Sequence, residues 1–127
     1  MSTQAKQTLL VFSAAEGLFG LPAERVQSVC KALPVTRVPY LPEDFIGVFN
    51  FRGDLCLAID FATRLGKTSK TEKTEQVMIV IDSKDPKARP RGLLVDHIER
   101  VAHSSEISTE NNIHLLDADT FLEGGIG

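Results

Sequence analysis

Tryptophan is absent from this 127-residue chain, tyrosine occurs once, and seven phenylalanines are the only other aromatics. A core built from such material is mainly aliphatic, and a nucleic-acid surface of stacked rings has little to draw on. No charge of one sign dominates: fourteen Lys and Arg stand against seventeen Asp and Glu, a net charge of −3. That balance gives no electrostatic case for nucleic acid or anionic lipid, and a small-barrel nucleic-acid binder remains only a remote alternative. Long apolar runs are missing. Runs such as Val77–Ile81 and Gly92–Val95 are strand-length, far short of the ~20 residues of a membrane span, so no membrane insertion is expected. The amino-terminal MSTQAKQ is polar and lacks the apolar stretch of a leader, so a cytoplasmic location is expected. The two cysteines, Cys30 and Cys56, lie in apolar strand-like runs and read as buried free thiols.

Catalytic and metal-binding constellations are also lacking. Gly66-Lys67-Thr68 imitates the end of a phosphate loop, but the first glycine of that motif would fall at Phe61, and the segment follows a helix instead of opening one. Asp96 and His97 are neighbours in a strand-like run, so their side chains point to opposite faces and cannot bond as a dyad. His97, His103 and His114 share no ligand spacing with the cysteines. No catalytic residue, metal or cofactor is therefore expected, and the chain is not read as an enzyme.

What is present is a hairpin. Ile46, Val48, Phe49 and Phe51 lead in and Leu55 to Ile59 lead out, with strand-forming residues on both arms. Arg52-Gly53-Asp54 supplies the turn, Gly53 being free to take a positive φ. Asp60 stands as N-cap of a short helix, 61–65, which Gly66 stops. One arginine is thus displayed at the end of a rigid two-stranded arm.

The ordered elements Gly20-Leu21-Pro22-Ala23, Val26 with Val29, Val35-Thr36-Arg37-Val38-Pro39, Ile46-Gly47, Asn50-Phe51-Arg52-Gly53, Ile59-Asp60 and Leu65-Gly66 resemble the hallmark of CheW-like domains. The resemblance covers roughly residues 8 to 122. Phe51 and Ala58 stand where the family usually has Leu and Pro. It implies an all-β fold: two packed SH3-like five-stranded β-barrels with short helices and an apolar groove between them.

An internal repeat runs in the same direction. Gly20-Leu21 through Val26 and Val29 aligns without gaps on Gly92-Leu93 through Ile98 and Val101, and Ile59-Asp60 with Leu65 parallels Leu116-Asp117 with Leu122. Residues 1–127 read as one domain: a first barrel over 8–66, a linker over 67–75, and a second barrel over 76–123. The repeat is unequal. The second half has no counterpart of Val38–Phe51, so the second barrel is expected to be abbreviated, with strands at Gln76–Asp82, Arg91–Val95, Ile98–Ala102 and Ile113–Leu116 and a helix from Asp117.

The resemblance also implies function. Arg52 matches an arginine of the family's chemoreceptor-binding surface, and Val26, Gly47, Asn50 and Phe51 are the accompanying receptor-binding candidates. Val26 would supply apolar contact, unless it is plain core. Gly47 would let a partner backbone approach, unless it marks a bulge. The implied partners are the cytoplasmic tip of a methyl-accepting chemoreceptor and the regulatory domain of a CheA-type histidine kinase, coupled without chemistry at receptor arrays. With a trimmed second barrel, the alternative is an accessory or competing adaptor of a pilus or gliding pathway that engages kinase weakly.

Overall fold

The computed structural model describes residues 7–67, 75–83, 88–107 and 112–121. Most of the expected linker, and the glycine-rich end after 121, lie outside the described residues. The fold is all-β. Its strands are β1 (Thr8–Ala14), β2 (Gly17–Pro22), β3 (Val26–Lys31), β4 (Phe45–Phe51), β5 (Asp54–Asp60), β6 (Val77–Ile81), β7 (Arg91–Val95), β8 (His97–His103) and β9 (Ile113–Leu115). Among the described residues stand also the short helices α1 (Phe61–Arg64) and α2 (Ser104–Ile107) and the 3-10 turns Ala23–Arg25 and Ala118–Phe121.

The strands form two sheets, ordered β8-β1-β2-β9 and β3-β6-β7-β5-β4. Continuous apolar runs mark strands buried on both faces. Along β6, Ile79 and Ile81 enter a core shared by both sheets, while Met78 and Val80 enter a second core on the opposite face. Along β1, Leu10 and Phe12 enter the shared core, while Leu9 and Val11 enter a third. The shared core thus lies between the two sheets. Three rings bind it: Phe19 and Phe61 meet edge-on at 4.8 Å, and Phe12 lies 5.7 and 5.4 Å from them, each pair contributing about 0.5–1.5 kcal/mol beyond burial.

The sheets do not coincide with residues 8–66 and 76–123. Each draws strands from both halves: β1 is antiparallel to β2 and to β8, and β5 is parallel to β7. A hairpin satisfies one edge of each strand, and here the free edges of one half are completed by the other.

The repeat is visible in the registers. Gly20 lies between Val11 and Leu115, and Gly92 lies between Val80 and Ala58. One residue further on stand Leu116 and Ile59, the positions the sequence aligns. The acid–base pairs of the repeat divide their burial oppositely. Asp96 is buried and its Oδ2 accepts from the Ala15 amide at 3.0 Å, pinning the β1–β2 turn, whereas Glu24 is exposed. Arg25 is buried, pairing with Asp119 at 2.8 Å and donating to the Asp82 carbonyl at 3.0 Å, whereas His97 is exposed.

Asp117 caps as expected, its Oδ1 accepting from the Asp119 amide at 3.0 Å. Asp60 occupies the N-cap position of α1, but its Oδ2 instead accepts from the Thr63 hydroxyl at 2.6 Å. Gly66, at φ +75°, ends α1 in a Schellman pattern: its amide donates to Thr63 and that of Lys67 to Ala62, both at 2.8 Å. Both cysteines are free; Cys56 is buried but Cys30 only half-buried. Burial raises both thiol pKa values, with the Asp54 charge adding to the effect at Cys56.

Candidate partner-docking surface

β4 and β5 pair in register from Phe45↔Ile59 to Phe51↔Asp54, leaving Arg52-Gly53 as a two-residue loop. Both residues have positive φ, +54° and +92°, the backbone of the tight turn whose twist matches its flanking strands. Asp54, expected in the turn, is the first residue of β5. The Asn50 carboxamide oxygen accepts from the Gly53 amide at 3.1 Å and fixes the loop. Phe51 is buried beneath it, 6.5 Å from Phe49, and the Arg52 guanidinium rides 4.8 Å above the Phe51 ring. Arg52 is therefore exposed and held in place, with the buried Phe51 beneath it and the exposed Asn50 fixing the loop.

Gly47 is buried under the chain itself. Thr36 and Val48 exchange backbone hydrogen bonds at 2.8 and 2.9 Å, and the β4–β5 register shifts between Phe45 and Gly47. A Cβ on Gly47 would land on the Thr36 carbonyl and come within 3.0 Å of the Arg37 Cα. The register shift is the bulge alternative, and the backbone lying against Gly47 is this chain's own Thr36-Arg37, not a partner's. Beside it, Ala32, Leu33, Val35, Ile46 and Leu94, with Arg37 at the rim, line a groove of about 240 Å³.

Val26 opens β3, at the far edge of the same sheet. The registers place it in one cross-strand row, Val26–Ile81–Arg91–Leu57–Val48. Ile81 is fully buried and the other four are half-buried. Three strand spacings separate Val26 from Leu57, about 14 Å, so Val26 does not touch the hairpin tip but shares its end of the sheet. Arg91 and Arg64 stack on Phe45, 5.4 and 5.8 Å from its centroid, and Asp44 Oδ2 accepts from Arg64 Nε at 2.7 Å. Burial, and then the Arg64 charge, lowers the Arg91 pKa.

Sequence reading missed two exposed residues. Leu55, beside the tip, is 56% exposed, and its carbonyl accepts from Arg89 Nη1 at 3.3 Å. Tyr40 is fully exposed at φ +68°. The prolines around it, Val38-Pro39-Tyr40-Leu41-Pro42, were the available signal. Val26 and Leu57 are half-buried and both pack against the shared core, as the core alternative for Val26 expected, and Arg91 stands between Ile81 and Leu57 in the row.

Comparison with known proteins bears on this geometry. The model of the CheW-like domain matches residues 8–124. The chain is 29% identical over 104 residues to the chemotaxis protein CheW of Rhizobium meliloti, covering 82% of this chain and 65% of the relative. It is 23% identical over 109 residues to the chemotaxis protein CheW of Helicobacter pylori, covering 86% and 64%. The crystal structure of the scaffolding protein TtCheW from Thermoanaerobacter tengcongensis superimposes with a TM-score of 0.68 at 30% identity, over 76% of this chain and 61% of that one. The chain belongs to the CheW-like domain family. It spans just under two thirds of the length of these relatives.

Proposed function

We propose that this protein is a non-enzymatic signalling adaptor of the chemotaxis type. It joins the cytoplasmic tip of a chemoreceptor to the regulatory domain of a CheA-type histidine kinase at receptor arrays. The observation that carries the reading is Arg52, exposed and braced at the hairpin tip of a CheW-like chain. A receptor tip is a helical hairpin, and its apolar face fits Leu55, Leu57 and Val26 while Arg52 meets carboxylates or helix-end carbonyls. Binding both partners lets receptor conformation bias the kinase, a coupling free energy that needs no chemistry. Gly47, Asn50 and Phe51 serve by shaping the hairpin that presents Arg52.

Arg52→Glu is expected to weaken receptor-tip binding at least thirtyfold, about 2 kcal/mol, since it replaces attraction with repulsion. The fold should be untouched, because Arg52 is outside every core. Binding titrations beside thermal melts check this; unchanged affinity in an intact fold removes Arg52 from the interface.

A second reading is favoured by one observation: among the described residues the shorter sheet ends at β9, where the longer continues into β4. Such a chain binds receptor but engages kinase poorly, as an accessory adaptor. On that reading, affinity for an isolated kinase regulatory domain falls at least tenfold below that of a full-length CheW, about 1.4 kcal/mol. Calorimetry measures it, and equal affinities restore the plain adaptor.

A further inference from the structure

In the five-stranded sheet β5 lies between β7 and β4; its counterpart β9 pairs with β2 and, among the described residues, with nothing on its other side. The side chains register the difference. Ala58 is fully buried, whereas Leu115, at the equivalent place, is 61% exposed. Cys56 is 2% exposed, whereas Ile113 is half-buried. The core behind the longer sheet holds Met78, Val80, Cys56 and Cys30 with Phe49 and Phe51 from β4. Behind the shorter sheet stand Leu9, Val11, Ile113 and Ala102, the matching positions, without the two rings. The paired glycines agree. A Cβ on Gly92 would lie 2.7 Å from the Phe49 ring, whereas one on Gly20 would meet Leu115 and Ile113 at 3.5 and 3.6 Å.

The edge is also open in its polar groups and undefended by charge. The Leu116 amide donates to the Gly20 carbonyl at 2.9 Å, so the Leu115 amide, one residue earlier, points away from β2. Open edges are usually blunted by charge or proline. β8 at the other margin carries Glu99 and Arg100, and β3 carries Lys31, but Ile113-His114-Leu115 has no Lys, Arg, Asp, Glu or Pro.

We propose that the outer edge of β9 docks an extended segment of a partner protein. The segment adds as a fifth strand, antiparallel as β4 is to β5, and lays alternate apolar side chains over Leu115 and Ile113. A second copy of this chain is the weaker occupant. Pairing β9 with itself joins only 3 residues from each side, about 10 Å of strand, too short a seam to bury by itself the ~1,000 Å² of a stable dimer. A segment as long as the 7 residues of β4 covers both Ile113 and Leu115. The inference concerns this edge alone and stands apart from the receptor-binding role of the hairpin.

The test adds a synthetic peptide with the sequence of residues 44–51, flanked by lysines for solubility, to the full chain. Amide exchange is followed by NMR. In the free chain the Leu115 amide is expected to exchange rapidly, and saturating peptide to slow it at least tenfold and to shift Ile113–Leu115. Leu115→Lys is expected to weaken the peptide at least tenfold with an unchanged melting curve. A Leu115 amide already protected in the free chain overturns the proposal. So does protection that rises with chain concentration, which assigns the edge to a second copy, and so do shifts confined to β5, where the peptide would be replacing the resident β4.

Discussion

Residues 1–66 expressed alone will not fold: the fragment should give a collapsed amide spectrum and no cooperative melt. The cut separates β3 from its partner β6, β5 from β7, and β1 and β2 from β8 and β9. Two hairpins and an unpaired strand remain, and isolated hairpins are marginal at best in water. Leu10, Phe12, Phe19, Ile59 and Phe61 would lose Ile79, Ile81, Leu93 and Val95, their companions in the shared core. What is left cannot offset roughly 1–2 kcal/mol of backbone entropy per residue. Adding residues 67–127 in trans should restore a dispersed spectrum if the two pieces associate as the registers require. A well-dispersed spectrum from 1–66 alone would mean that the first half closes on itself, contrary to the sheet order.

Gly47→Ala carries the next largest effect, a loss of about 3 kcal/mol or more. The added methyl collides with the Thr36 carbonyl, which cannot yield without breaking the paired bonds between Thr36 and Val48. For a domain of this size that lowers the melting temperature by roughly 10 °C. Gly53→Ala is the control. Gly53 has positive φ too, but nothing lies within 4 Å of its added carbon, so only the backbone term applies, about 1 kcal/mol. Equal losses at the two sites would show that conformation, and not the overlying strand segment, governs Gly47.

The hairpin was legible because each of its parts has a local cause: alternating apolar residues, a glycine in the turn, and a helix stop at Gly66. The repeat was legible too, since Gly20 and Gly92 keep their alignment in space. Strand partnership was not. A period of two says which face a residue takes but not which neighbour its strand chooses, so the intercalation of β6 and β7 between β3 and β5 left no local trace. That pairing alone puts Val26 and Leu57 in one row. The positive φ of Arg52 was hidden because an arginine carries no conformational signature comparable to that of glycine. Asp60 illustrates a third limit: the cap position was readable, but not that Thr63 would compete for the carboxylate. Gly47 and Phe51 sit in the hairpin motif yet face inward, so presence in a surface motif did not translate into exposure.

The most direct measurement is sedimentation velocity of the full chain with a receptor-tip helical hairpin and a kinase regulatory domain, each distinguishable by its own label. The concentrations must be high enough to saturate a weakened kinase site. An adaptor gives one boundary carrying both labels, and Arg52→Glu removes the receptor label from it while the kinase label remains. Two boundaries that never combine, or a folded chain that binds no receptor tip, would contradict the adaptor role.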